Sequence, residues 1–320
     1  MLNFFLVFLI SFGLSVVLGF PILALCRKLK LGQTILHWVD KHAGKSGTPT
    51  MGGLIFIFSG IIASLIFLRG EDFLLCLLVL LTMLGYGLLG FLDDFIKVKG
   101  GKNEGLKPYQ KIIGQVGLSL IIALFVYFKL GSKIDLFGLK INLGIFIIPF
   151  IMLFFVAVTN SVNLTDGLDG LAGGVSLVYL LTFGVILALL NYFNFGIISF
   201  AMAGAILGFL LFNGFPAKIF MGDTGSLALG GVIACLAVFS GLEFIMPIIG
   251  IMFVLSAVSD IIQVGYYKRT KKRVFLMAPL HHHFEKKGVH ENRIVAVYIV
   301  ITLLCGIGAM LGYMAVLGAI

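Results

Sequence analysis

The chain has 320 residues, of which 60% are hydrophobic and only 12% charged, and its mean hydropathy is +1.14. A water-soluble surface needs far more charge than that, so a soluble two-domain enzyme, a disordered chain and a secreted disulfide scaffold are all excluded. The net charge of +9 does not point to nucleic acid, because no basic stretch is interleaved with stacking aromatics.

A bilayer-crossing helix needs roughly 20 apolar residues. In chain order, ten stretches qualify, near 2–25, 51–68, 73–92, 112–128, 143–162, 171–190, 195–212, 225–241, 244–266 and 294–318. The expected fold is therefore an all-α polytopic membrane protein, one integral unit over residues 1–320 with about ten transmembrane helices. The first stretch lacks a basic leader and is followed by Arg27, Lys28 and Lys30, which reads as an anchor rather than a cleaved signal peptide. With that orientation, 19 of the 23 Lys and Arg residues share the side of the loop after the first span. Only Arg69, Lys129, Lys133 and Lys140 fall on the other. The asymmetry puts both termini outside and the large loops in the cytoplasm. All six histidines and Asp93, Asp94, Asp166, Asp169, Asp223 and Asp260 fall on the cytoplasmic side, at or near helix ends. The longest outer loop, about 129–142, carries Gly131, Asp135, Gly138 and Asn142 around short apolar stretches and is expected to form a hairpin. Cys26, Cys76, Cys235 and Cys305 sit singly in or beside apolar runs, as small core residues do.

Four constellations carry chemistry. Asp93 and Asp94 close the third span, with Lys97 about one helical turn on. Adjacent carboxylates at a membrane boundary are costly unless compensated, and this pattern suits a magnesium ion shared with substrate phosphates. The run NSVNLTDGLDGLAGG, residues 160–174, joins two spans almost without a loop and offers carboxamides, carboxylates and open backbone N–H groups at a helix start. A tight turn would need only one or two such residues. In NGFPAKIFMGDTGS, residues 213–226, Asp223 precedes the eighth span and can complete a metal site or cap the helix. The segment APLHHHFEKKG, residues 278–288, holds His281, His282 and His283 beside basic residues, which favours anion contact or proton transfer near neutral pH. The basic cluster from Lys268 to Arg273 reads as an inner-face anchor, with anionic headgroup contact as the alternative. Asp260 and Gln263 in the ninth apolar run are expected to face a polar cleft.

Together with KSGTPTMGG at residues 45–53, these motifs occur in an order that resembles the phospho-N-acetylmuramoyl-pentapeptide-transferase family of the polyprenyl-phosphate hexosamine-1-phosphate transferase superfamily, over essentially the whole chain. The GTPTMGG and PLHHHFE forms favour that branch over its N-acetylglucosamine-phosphate relatives. The resemblance implies that UDP-MurNAc-pentapeptide and undecaprenyl phosphate give lipid I and UMP, with Mg2+, at the cytoplasmic face of the bacterial inner membrane, and that the protein is a homodimer. It implies Asp223 as metal ligand, Asp93 as the group that deprotonates or orients the lipid phosphate, and Asp94 in support. Lys45, Lys97 and Lys111 would contact phosphate. Asn160, Asn163, Asp166, Gly167, Leu168, Asp169 and Phe220 would form the nucleotide side, Phe220 stacking on uracil. Thr50, Asn213, Gln263, His281, His282 and His283 would complete the cleft. Direct attack by the lipid phosphate is the expected course, with a double displacement through a phospho-aspartyl enzyme left open. The rivals are a sister transferase using UDP-GlcNAc and an ion-coupled transporter, whose sites usually lie near the bilayer midplane. A CDP-alcohol phosphatidyltransferase would need a DGxxAR motif that this chain lacks.

Overall fold

The protein is described by a computed structural model covering residues 1–29, 31, 47–70, 72–100, 105–316 and 318. Long runs of Leu, Ile, Val and Phe become helices here because a lipid-embedded backbone must satisfy its own hydrogen bonds. The helices are α1 (Leu2–Lys28), α2 (Gly53–Phe67), α3 (Phe73–Gly100), α4 (Pro108–Phe125), α5 (Ile147–Thr165) and α6 (Leu171–Leu189). They continue with α7 (Phe193–Asn213), α8 (Gly222–Ser240), α9 (Met246–Ile249), α10 (Ile251–Thr270), α11 (Leu280–Lys286) and α12 (Glu291–Val316). The expected hairpin is present as antiparallel strands β1 (Lys133–Leu136) and β2 (Leu139–Asn142), with Lys133 opposite Asn142. Asp135 accepts a hydrogen bond from the Gly138 N–H at 2.6 Å across its turn.

Among the described residues, eight helices are long and apolar enough to cross a membrane. The other two expected spans differ for physical reasons. Helix α2 has 15 residues and is shorter than a full crossing. The stretch 244–266 breaks at Gly250 into α9, which carries Pro247, and α10, which holds Ser256, Ser259, Asp260 and Gln263. The second half of α10 stands clear of the bundle, with Ile261, Ile262, Val264, Tyr266 and Tyr267 exposed. Asp260 is half-buried there.

Helix α8 is the axis of the bundle: every residue from Thr224 to Ser240 is buried. It packs most extensively on α3 and α5. Gly90 allows this approach, since a β-carbon there would strike the Asp223 carbonyl and the Thr224 nitrogen. Helices α1 and α7 run parallel, because Ser11 donates to the Ala201 carbonyl and Ser15, one turn later, to that of Ala205, both at 2.6 Å. Helix α12 likewise runs parallel to α6: Gly174 lies against Val295 and Ile299, and Thr182 against Gly306. Because α7 ends and α6 begins at the end of the bundle where Asp93 and Asp223 meet, the start of α1 and the end of α12 lie at the opposite end.

Candidate active site

The end of α3, the start of α4, the end of α5 and the start of α8 converge at one end of the bundle. Asp93, Asp94 and Asp223 there offer carboxylate oxygens that lie within 4.8 Å of one another. Asp93 and Asp94 are each 2% exposed, so their charges need specific partners. Asp94 has its own: it accepts from the backbone N–H groups of Asp223 (3.2 Å) and Thr224 (2.9 Å) and from the Thr224 hydroxyl (2.7 Å). It therefore anchors the first turn of α8, where orphan donors and the helix dipole favour an anion. Gly222, with φ at +73°, turns the chain into α8 and leaves room beside Asp94 and Thr50.

The counter-charges are lysines. Lys97, one turn after Asp93 on α3, bridges Asp93 at 2.6 Å and Asp223 at 2.9 Å. Lys111 on α4 reaches the same Asp223 oxygen at 2.8 Å. Asn163 donates to the other Asp223 oxygen and to the Ser226 hydroxyl, both at 2.7 Å. Asp93 also accepts from the Leu106 N–H at 2.7 Å, which ties the segment before α4 to the site. Three carboxylates, two ammonium groups and a carboxamide thus share one small volume. The oxygen-only carboxylate set is that of a hard divalent cation, and the buried Thr50 hydroxyl beside it has no partner among the described residues.

Asn160 lies one turn before Asn163 and is held by Gln115, whose carbonyl oxygen accepts from the Asn160 amide at 2.6 Å. Asp166 follows the end of α5, and its packed surroundings, with Asp223 and Asp94 nearby, push its carboxyl up to about 8. Gly167 lies against the rings of His281 and His282. His282 is fixed by Glu285, 2.9 Å from its Nδ1. Burial, and then the neighbouring His282, pulls the His281 imidazole down to about 3, so the ring is neutral at ordinary pH.

Other expected site residues also have contacts within the frame. Asp169 is buried and accepts from the Ala217 N–H at 2.9 Å, while its own N–H donates to Glu291 at 2.5 Å. Asn213 accepts from the Gly170 N–H at 3.2 Å and donates to the Ile219 carbonyl at 3.0 Å. Leu168 is buried. Gln263 and His283 hold the segment after α10: Gln263 accepts from Val274 and Phe275 N–H groups at 3.1 and 2.9 Å, and His283 from Leu276 at 3.1 Å. Phe220 is half-buried and pinned to the loop before α2, its N–H to Pro49 and its carbonyl to Gly52, each at 2.8 Å. Lys45 lies outside the described residues. Gln115, Thr224, Ser226, Glu285 and Glu291 were not among the expected site residues. A lone amide in an apolar span, as at Gln115, was a legible signal; nothing local marks Glu291 as the partner of Asp169.

The model of glycosyl transferase family 4 matches residues 76–241, which contain the whole acidic cluster. Signature 1 of phospho-N-acetylmuramoyl-pentapeptide-transferase matches residues 45–57. The bundle and its acidic site are those of a membrane-embedded glycosyl transferase of family 4. A phospho-N-acetylmuramoyl-pentapeptide-transferase of Thermoanaerobacter sp. (strain X514) is 48% identical over 298 residues, covering 92% of this chain and 94% of its own. One of Clostridium perfringens (strain 13 / Type A) is 46% identical over 92% of this chain and 93% of its own. One of Desulfitobacterium hafniense (strain DSM 10664 / DCB-2) is 42% identical over 97% and 98%. The chain belongs to the phospho-N-acetylmuramoyl-pentapeptide-transferase family.

Proposed function

We propose that this transferase moves phospho-MurNAc-pentapeptide from UDP-MurNAc-pentapeptide to undecaprenyl phosphate, as a homodimer in the bacterial inner membrane, with its active site facing the cytoplasm and both termini outside. The observation that carries the reading is the Asp93, Asp94 and Asp223 cluster with Lys97 and Lys111 on it, set at the ends of membrane-crossing helices. There a water-borne diphosphate and a lipid-borne phosphate can meet. The distribution of Lys and Arg along the sequence, 19 of 23 in the loops assigned to one side by the alternation of spans, supports the orientation.

An oxygen of the lipid phosphate attacks the β-phosphorus of the donor. A new P–O bond forms, the bond between that phosphorus and the bridging oxygen breaks, and UMP departs with that oxygen and its negative charge. Two anions must be brought together, so screening is the main requirement. Lys97 and Lys111 have ammonium groups in place to donate hydrogen bonds to phosphate oxygens. Asp93 takes the proton of a monoprotonated lipid phosphate, and Asp94 keeps the first turn of α8, and with it Asp223, in position. Asp223, with Asp93 and Asp94 beside it, would hold Mg2+, which would supply charge neutralisation of the diphosphate. Asn160, Asn163, Asp166, Gly167 and Phe220 form the nucleotide side, with Thr50, His281 and His282 around them; uracil stacking on Phe220 would contribute about 1–3 kcal/mol. Purified full-length protein in detergent tests the reading. It should release UMP from UDP-MurNAc-pentapeptide only when undecaprenyl phosphate is present, and not from UDP-GlcNAc. UMP release from UDP-GlcNAc alone would give the role to the sister transferase, and no release from either donor would remove the reading.

A further inference from the structure

Glu291 is the first residue of α12 and is buried. Its carboxylate accepts from the Asp169 N–H at 2.5 Å, across 122 positions of sequence. A negative charge is favoured at a helix start by the orphan N–H groups and the dipole, yet this carboxylate also heads a chain of hydrogen bonds that leaves α12. Asp169 in turn accepts from the Ala217 N–H at 2.9 Å. Gly170, next in sequence, donates to the Asn213 side chain at 3.2 Å, and Asn213 donates to the Ile219 carbonyl at 3.0 Å. The turn that Glu291 holds thus grips the connection from α7 to α8 at Asn213 and Ala217, and that connection carries Phe220.

Residues 214–221 form neither helix nor strand, so their backbone is placed by such outside partners rather than by a ladder of its own. The residue before Glu291 touches the same connection, the His290 ring lying edge-to-face with Phe215 at 5.3 Å. Hydrogen bonds to a carboxylate are also stronger than neutral ones. We propose that Glu291 is a positioning residue for nucleotide binding: through Asp169 and Ala217 it sets the segment that presents the Phe220 ring. The proposal gives the start of α12 a part in donor recognition, and it rests on the reading that the base stacks on Phe220.

UMP binding to the full-length protein in detergent with Mg2+, measured by calorimetry, tests this. Glu291→Ala should weaken UMP binding about tenfold, as expected for loss of a hydrogen bond to a charged group. Glu291→Gln keeps an acceptor oxygen and should recover most of that affinity. In a Phe220→Ala background, Glu291→Ala should add less than about a twofold loss, because the ring it positions is gone. Hydrogen exchange over residues 214–221 should be faster in ligand-free Glu291→Ala than in wild type. A carboxylate that served α12 alone would change stability and leave UMP affinity untouched, so unchanged affinity overturns the proposal. Unchanged exchange overturns it too, as does a tenfold loss that persists without the Phe220 ring. If Phe220→Ala itself binds UMP as wild type does, the stacking reading fails and the proposal falls with it. Should Glu291→Ala not fold, Glu291→Asp, one methylene shorter, is judged by the same outcomes.

Discussion

Asp94 separates two accounts of the acidic cluster. If it served only to hold a cation, removing it from metal-free protein would relieve repulsion among three buried carboxylates and raise stability. The structure gives it another task, accepting three hydrogen bonds at 3.2, 2.9 and 2.7 Å from the first turn of α8. A hydrogen bond to a charged group contributes about 1.5–3 kcal/mol and a helix cap about 0.5–2 kcal/mol. These contributions overlap, and relief of repulsion offsets part of them, so Asp94→Ala is expected to cost about 3 kcal/mol. For a chain of 320 residues that corresponds to a fall of about 5 °C in melting temperature. Asp94→Asn keeps an acceptor oxygen and should recover about half of the loss. The assay is thermal melting of the full chain in detergent with EDTA, followed by circular dichroism. If Asp94→Ala melts at or above wild type, the anchoring of α8 by Asp94 is refuted.

At Gly90 a methyl group would meet the Asp223 carbonyl and the Thr224 nitrogen, backbone atoms that cannot swing aside. Gly90→Ala should therefore force α3 from α8 and abolish folded protein or lower its melting temperature sharply, whereas Gly117→Ala, facing open space on α4, should be neutral or slightly stabilising; equal behaviour of the two would refute the close approach. His281 titrates at about 3 in the folded chain against an ordinary 6.5. The depressed value means that its contribution to stability is complete above pH 6.5 and is lost as pH falls from there toward 3, by up to about 1.4 kcal/mol per pH unit. His281→Gln should flatten the fall of melting temperature between pH 6.5 and 4.5, and a curve parallel to wild type would show that the ring is not buried neutral.

The membrane spans and the convergence of distant motifs were legible because both depend on composition and on order along the chain. Apolar runs long enough to cross a bilayer leave few alternatives, and their alternation puts Asp93, Lys111, Asn163 and Asp223 at one end. The break at Gly250 was not legible in full, since Pro247 and Gly250 are helix-breaking residue types that membrane helices also tolerate, and neither says that the second piece leaves the bundle. The division of labour among the acids was hidden for a different reason. Asp93 and Asp94 are neighbours of the same type, yet one faces Lys97 and the other the start of α8, a distinction set by helix rotation. Asp169 has the residue type of a ligand, and it is also tied into the frame: its carboxylate accepts from the Ala217 N–H and its own N–H donates to Glu291, 122 positions away. Such pairings exist only once the helices have packed.

Binding of a spin-active divalent ion tests the account at its centre, the joint hold of residues from α3 and α8 on a single cation. Titration of Mn2+ into substrate-free protein, followed by electron paramagnetic resonance, should reveal one saturable ion per chain. Asp223→Asn should weaken that binding about tenfold or more, equivalent to about 1.4 kcal/mol. Undiminished Mn2+ affinity in Asp223→Asn would contradict it.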